Sequence, residues 1–181
     1  MNPTIVLEKM LHSGSTQEEA IAFFDQLEAV ELYEMWGLWK GEEIKTGHPI
    51  EGILHAAGWY GKQFLNEEHV HPLMMKTENG VLFPINPAFI PLKIPFDNIP
   101  KNLITPAMKL FRPVLKTKNS AARLRQIVYR GKTSAAMVYD KKEIIDIFRK
   151  VDANTLMCVM DSKQLQDGKP YFFVLRKVKR M

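Results

Sequence analysis

Cysteine is nearly absent from this chain. The single thiol, Cys158, excludes an internal disulfide, and its place in the apolar run Thr155-Leu-Met-Cys-Val-Met160 predicts a buried, inert group. No apolar run approaches the ~18 residues of a membrane-crossing helix. The opening Met1-Asn-Pro-Thr-Ile-Val-Leu-Glu-Lys9 lacks the charged-then-apolar layout of a secretory leader. Together these absences predict a cytoplasmic protein in a reducing compartment, without integral membrane association. Also missing are a Gly-x-x-x-x-Gly-Lys-Ser/Thr or Gly-x-Gly-x-x-Gly phosphate loop, a Gly-x-Ser-x-Gly elbow, Cys-x-x-Cys and His-Glu-x-x-His. The common nucleotide, serine-hydrolase and zinc signatures are therefore excluded, and no cofactor or metal is expected. A stripe of one charge is missing as well. The 25 Lys and Arg exceed the 20 Asp and Glu by five, yet Lys40, Lys62, Lys76, Lys93 and Lys109 are scattered, and only 116–132 and 176–180 cluster. Nucleic acid is not an expected partner on that pattern.

What is present is an ordinary globular composition, 46% hydrophobic and 25% charged over 181 residues, which amounts to one domain. Asn2 and Pro3 open a first helix. Thr16 and Glu19 form a capping box for a second, whose apolar side runs Ala20, Phe23, Phe24, Leu27, Val30 and Tyr33 up to Gly37. A strand follows from Leu38 to Thr46, and Gly47-His48-Pro49 predicts a third helix with Ile50, Ile53, Leu54, Ala57 and Tyr60 on one side. His71–Lys76 and Val81–Ile85 flank Glu78-Asn-Gly80, a strong hairpin signal. From Pro84 to Pro113 the chain carries seven prolines, which predicts a long surface segment with a short helix near Ala107–Phe111. This segment reads equally as a lid or as the arm of a homodimer.

Ala121–Arg130 and Thr133–Asp140 read as strands around a Gly131-Lys132 turn of type II′. Asp140 and Glu143 predict a capped helix over Ile144–Val151, with Asp146 and Arg149 paired on its surface, and a last strand pair surrounds Asp167-Gly168. The expected fold is α+β: residues 1–36 supply helices, and 37–181 form a mostly antiparallel, barrel-like sheet of the calycin or lipocalin kind.

The most recognisable signal is Gly37-Leu-Trp39-Lys-Gly41, followed by Thr46-Gly-His-Pro49 and Gly58-Trp-Tyr-Gly61. A Trp between glycines suits the plug of a barrel end, with the glycines admitting close backbone. Together with Arg123-Leu-Arg-Gln-Ile-Val-Tyr-Arg-Gly131, Ser134-Ala-Ala-Met-Val-Tyr-Asp140 and Ile145-Asp-Ile-Phe-Arg149, these landmarks resemble the GXWXG-domain family. In that family the motif precedes a paired C-terminal domain of unknown function; the corresponding parts here are about 24–85 and 120–178. The resemblance implies no established activity and no catalytic residues. The motif is also similar to that of lipocalin-like and nitrobindin-like barrels that hold lipid or haem, which is a likeness of architecture alone.

For a ligand site the residues offer several candidates. In the expected hairpin register Arg123, Arg125, Ile127 and Tyr129 share one face, and Leu124, Gln126 and Tyr139 the other; both faces are mixed, as in a sheet lining a partly polar cavity. Arg125 and Tyr129 would hold the acid head of a fatty-acid-like ligand, with Trp39, Trp59 and Tyr139 lining its tail. His48, His55, His69 and His71 have spacings that would let imidazoles converge, though His48 fits better as a cap. The first expectation is an intracellular binding protein for a small apolar or amphipathic molecule. The alternative is an enzyme of isomerase or cyclase type using His48 or His71 as acid or base in the same cavity.

Overall fold

The computed structural model describes residues 2–90, 100–163 and 169–179. The chain runs α1 (Pro3–Ser13), α2 (Gln17–Gln26), β1 (Gly37–Glu43), α3 (Ile53–Ala56), β2 (Trp59–Phe64), β3 (Val70–Lys76), β4 (Leu82–Pro84), α4 (Lys101–Leu115), β5 (Ala122–Tyr129), β6 (Lys132–Tyr139), β7 (Ile144–Asp152), β8 (Thr155–Ser162) and β9 (Tyr171–Lys177). Short 3-10 turns stand at Leu32–Met35 and Pro87–Phe89. The strands pair in the order β2-β1-β9-β8-β7-β6-β5-β3-β4, and β2 also pairs β3, so all but β4 close into an antiparallel ring. The fold is α+β with a barrel-like sheet. Among the described residues no helix is long and apolar enough to cross a membrane.

Both parts of the sequence share the interior: Trp39 and Phe64 from the first meet Leu124, Phe148, Tyr171 and Phe173 from the second. A second apolar layer lies outside, where Leu7 of α1 and Phe23 and Phe24 of α2 cover Ile147, Val159 and Phe172. The caps are as the sequence indicates: the Asn2 side chain accepts from Thr4 N–H, and Thr16 and Glu19 form the reciprocal box, devices worth about 1 kcal/mol each.

Several elements depart from expectation. α2 stops at Gln26 rather than continuing toward Gly37. Glu28 bridges to Lys150, and the Val30 carbonyl accepts from Ala135 N–H, so the chain leaves the helix to cover the barrel end with Val30 while Tyr33 stays exposed. The third helix is cut to Ile53–Ala56, and Trp59 already belongs to β2. Residues 144–152 are a strand, not a helix: Ile144, Asp146 and Phe148 turn inward while Ile147 and Val151 turn toward α1 and α2. A segment apolar on both faces has no periodicity to separate helix from strand, and three isoleucines favour the strand. α4 is a full helix although Pro106 and Pro113 lie within it. The two prolines are seven residues apart on its exposed side, away from the packed face, where a kink or a lost hydrogen bond disturbs no contact with the barrel. Residues 91–99 of the proline-rich segment and the Asp167-Gly168 turn lie outside the described residues.

The β5–β6 turn is Arg130-Gly131, both with positive φ as type I′ demands, rather than Gly131-Lys132. Leu124 therefore faces Met137, and Ala122 faces Tyr139. The register differs by two residues, which leaves every side chain on its expected face. What changes is which face is the inner one: Ala122, Leu124, Met137 and Tyr139 are in the barrel core, whereas Ile127 and Tyr129 pack outside.

The glycine-tryptophan motif acts through two contacts. Trp39 is 1% exposed and its indole N–H donates to Met35 O at 2.6 Å, so it is a core plug. Gly41 is approached not by backbone but by the Trp59 ring; a Cβ there would lie 2.1 Å from Cη2. The close backbone approach is at Gly61, where a Cβ would stand 1.9 Å from Trp39 O and φ is +153°. Gly61→Ala is therefore expected to cost ~3 kcal/mol or more, because backbone must shift, and Gly41→Ala only about 1–3 kcal/mol, because a ring can tilt. Urea unfolding of both variants checks the order; equal losses, or a larger loss at Gly41, would contradict it.

Candidate functional site

Opposite Lys62 the β2–β3 ladder is irregular. Gln63 pairs His71 and Gly61 pairs Met74, so Pro72 and Leu73 together oppose one residue. Such a bulge tolerates a proline and re-aims the chain. Here it leaves the Pro72 carbonyl accepting a 3.1 Å hydrogen bond from Lys62 Nζ inside the barrel. Lys62 also pairs with Asp146 Oδ2 at 2.8 Å and donates to the Tyr139 hydroxyl at 3.4 Å. Its ammonium lies 5.1 Å from the Phe173 ring centroid and 5.6 Å from that of Tyr139. The ammonium thus has two hydrogen bonds and one ion pair inside the barrel.

Asp146 is not so well served. It is 1% exposed, and neither carboxylate oxygen accepts a hydrogen bond of ordinary geometry among the described residues, so that the Lys62 ammonium and the Tyr139 hydroxyl hold its charge by proximity. Burial pushes the Asp146 carboxyl above the ordinary carboxylate range, against the pull of Lys62 and then of Tyr139. Burial first, and the Asp146 charge second, push the Tyr139 phenol well above its usual value.

Beside this cluster is a cavity of about 100 Å³, with Ile53, Leu73, Ile90, Ile144 and Met160 among its apolar walls and Lys62, Tyr139 and Asp146 on its polar side. Its roof is the segment from Thr46 to α3, held down by Glu51, which accepts from Thr46 and His48 N–H, and by Glu43, which accepts from Gly52 N–H and the Tyr171 hydroxyl. Two wider clefts of about 950 and 750 Å³ flank α3. They are surface grooves edged by charged side chains such as Lys40 and Lys76 or Glu42 and Lys101, whereas the small cavity is lined by the buried Lys62 and Asp146.

Of the residues singled out in the sequence, Tyr139 and Trp59 line this cavity. His48 lies just behind it, 4% exposed and edge-on to Tyr171, with Nδ1 accepting from Ile50 N–H. Trp39 is in the core but not in the lining. Arg125 and Tyr129 are on the outer face: Arg125 pairs with exposed Glu68 at 2.9 Å, and Tyr129 packs edge-on against Phe24 of α2. They cannot grip a ligand inside the barrel. His71 is on the ladder pair opposite in facing to the inward Phe64–Val70 pair, and thus lies outside too. His55 and His69 are exposed, and among the described residues no metal-holding group of His, Cys, Asp or Glu forms. Asp146 and Arg149 are not a surface pair, since they point to opposite faces of β7. Sequence reasoning missed Lys62 and Asp146 as a pair; the available signal was Asp146 within the apolar run 144–148, whereas β2 is mixed and offered no such run around Lys62.

Removing one partner of the buried pair leaves a charge stranded, so Lys62→Met alone is expected to cost about 3–5 kcal/mol. Lys62→Met combined with Asp146→Leu should recover most of that loss in urea melts, and a double variant no better than the single would refute the pairing. His71 gives a pH test. Burial holds its imidazole below the usual 6.5, so the unfolded chain takes the proton first. Its contribution to stability is present above 6.5 and is lost as the pH falls from there through the folded value. His71→Gln should flatten that part of a Tm–pH profile; an unchanged slope would count against a buried neutral imidazole.

Residues 22–80 match the GXWXG protein family, and residues 120–177 match the domain of unknown function DUF4334. A crystal structure of a protein from Thermomonospora curvata is similar over 99% of this chain and 100% of that one, at 27% identity and a TM-score of 0.73. No curated protein matches. The two matches, in this order on one barrel, are those of the GXWXG family with its paired C-terminal domain of unknown function.

Proposed function

We propose that this chain is a cytoplasmic binding protein for a small, mostly apolar or amphipathic molecule, held in the cavity beside Lys62, Asp146 and Tyr139. The observation that carries the reading is Asp146 Oδ1, a buried acceptor at an apolar cavity that receives no hydrogen bond of ordinary geometry among the described residues. A buried polar atom left unpaired costs roughly 1–3 kcal/mol, and a ligand bringing one N–H or O–H would recover it. The head is accordingly a hydroxyl, amine or amide. A carboxylate head does not fit, because the incoming charge would face the Asp146 carboxyl beside Lys62.

Size narrows the class further. An apolar cavity of roughly 150 Å³ takes a benzene-sized guest, and sites for larger ligands usually have about 300–1,000 Å³. With about 100 Å³ here, the ligand is compact, and a long acyl chain does not fit unless the roof moves. The acid–base alternative also has an observation in its favour, because a carboxyl raised by burial beside a phenol and an amine is equipped to move protons. In that reading Asp146 and Tyr139, rather than His71, touch the substrate.

Benzyl alcohol is expected to give a saturable change in Trp59 fluorescence and in the methyl spectra of Ile53 and Ile144. Benzoate and palmitate should not, and Ile53→Trp at the rim should block the response. Silence toward every neutral donor-bearing compound of this size would refute the binding reading. Turnover of a co-purifying molecule that stops in Asp146→Asn while binding persists would favour the enzyme.

A further inference from the structure

α4 carries an apolar face that none of the described residues covers. Ile104, Met108 and Leu115 fall on the side packed toward the barrel. Leu103, Leu110, Phe111 and Val114 form a separate stripe and are 57%, 73%, 55% and 67% exposed. Their spacings of seven, one and three residues put them on one flank of an α-helix. An exposed row of large apolar side chains on a 15-residue helix marks a contact surface rather than chance exposure.

The charge around the stripe says what it meets. Lys101, Lys109 and Arg112 stand on the polar side of α4, Lys116 and Lys118 follow it, and from Pro100 to Tyr139 the sequence contains no Asp or Glu. Lys109 finds its carboxylate in another element, at Glu78, in a pair that is itself exposed. Leucine and phenylalanine on one side with lysine and arginine on the other is the layout of a helix that lies in the interface of an anionic bilayer. We infer that α4 docks on a lipid surface carrying negative headgroups. A second copy of the chain fits less well. The stripe is ~22 Å long and about 10 Å wide, on the order of 200 Å², against roughly 800 Å² per partner in a stable interface. A two-fold contact would also bring the basic side chains toward their own copies.

The position of α4 gives the docking a use. The Thr105 hydroxyl donates to Ala56 O of α3 at 2.7 Å, and Met108 packs into the cluster containing Leu54, a residue of the cavity wall. A bilayer under α4 would lie beside the roof of the cavity, but the docking itself does not depend on the cavity being occupied.

The test is flotation of the full chain with vesicles of phosphatidylcholine, alone or mixed with phosphatidylglycerol. Binding is expected to the mixed vesicles and to weaken with added salt. Leu110→Asp together with Phe111→Asp should lower the vesicle-bound fraction roughly tenfold without changing Tm, because both side chains are exposed. Lys109→Glu with Lys116→Glu should weaken binding at low salt and reduce its salt dependence. The inference is overturned if the chain ignores phosphatidylglycerol vesicles, or if Leu110→Asp with Phe111→Asp leaves binding intact. It is equally overturned if light scattering finds a dimer that this double substitution splits, since the stripe would then belong to a second copy.

Discussion

The edge of β3 has to serve two neighbours, and the layout of the site follows from that. Val70 pairs with Ala122 of β5, but from Met74 onward the same edge is taken by Pro84, Phe83 and Leu82 of β4. A strand has one row of hydrogen-bonding groups per edge, so β5 cannot follow β3 past this point. β5 and β6 end there, at Ala122 and Tyr139. The ring is thus sealed by backbone at the end plugged by Trp39 and splayed at the other, where α3, Pro87–Ile90 and the Tyr139 side chain fill in for a missing wall. Side chains and short loops fill less completely than a hydrogen-bonded strand, and the cavity lies at this splayed end.

A buried ion pair is weak evidence for stability, since well-packed apolar replacements are often as stable or more so. The barrel interior is otherwise built from Leu, Phe, Met, Ile and Tyr, and could have been apolar throughout. Instead Lys62 is positioned with two hydrogen bonds and an ion pair, by a bulge that turns Pro72 O inward, while Asp146 has the ion pair at Oδ2 and no hydrogen bond of ordinary geometry at Oδ1. The asymmetry matters more than the pair. Were the pair only structural, both partners would be expected to be satisfied, because the half-met acceptor carries the cost.

Much of the fold was legible because local chemistry and burial agreed. The Thr16–Glu19 box, the Asn79-Gly80 hairpin and the β5–β6 hairpin each follow from residues that act within a few positions of one another. The site was less legible because its parts come from β2, β6 and β7 and meet only on closure. Ile144-Ile-Asp-Ile-Phe-Arg149 illustrates the difficulty. As a helix it places Asp146 and Arg149 together at the surface; as a strand it sends Asp146 to the core and Arg149 beneath α2, where Nη2 bonds the Tyr129 and Lys132 carbonyls and the guanidinium lies 5.2 Å from the Phe24 ring. One change of period exchanges a solvated pair for two buried charges in different layers.

The β5–β6 hairpin has a mixed outer face that mimics the lining of a cavity. Its Arg123, Arg125 and Tyr129 face looked like a partly polar lining, yet the mixture has another origin. The strands outrun the helices that cover them, so one outer face passes from solvent, where Arg123 meets Asp140 and Arg125 meets Glu68, to the shelter of Phe24 over Tyr129. Mixed polarity along one face therefore records a change of neighbour along the strand. A ligand site inside a barrel leaves a different trace, a charge flanked two positions away on its own face by large apolar side chains. Asp146 between Ile144 and Phe148 is that trace on β7, and Lys62 two residues before Phe64 is its counterpart on β2. Each alone reads as a surface residue; their opposite signs, on strands that face each other across the closed ring, make them a pair.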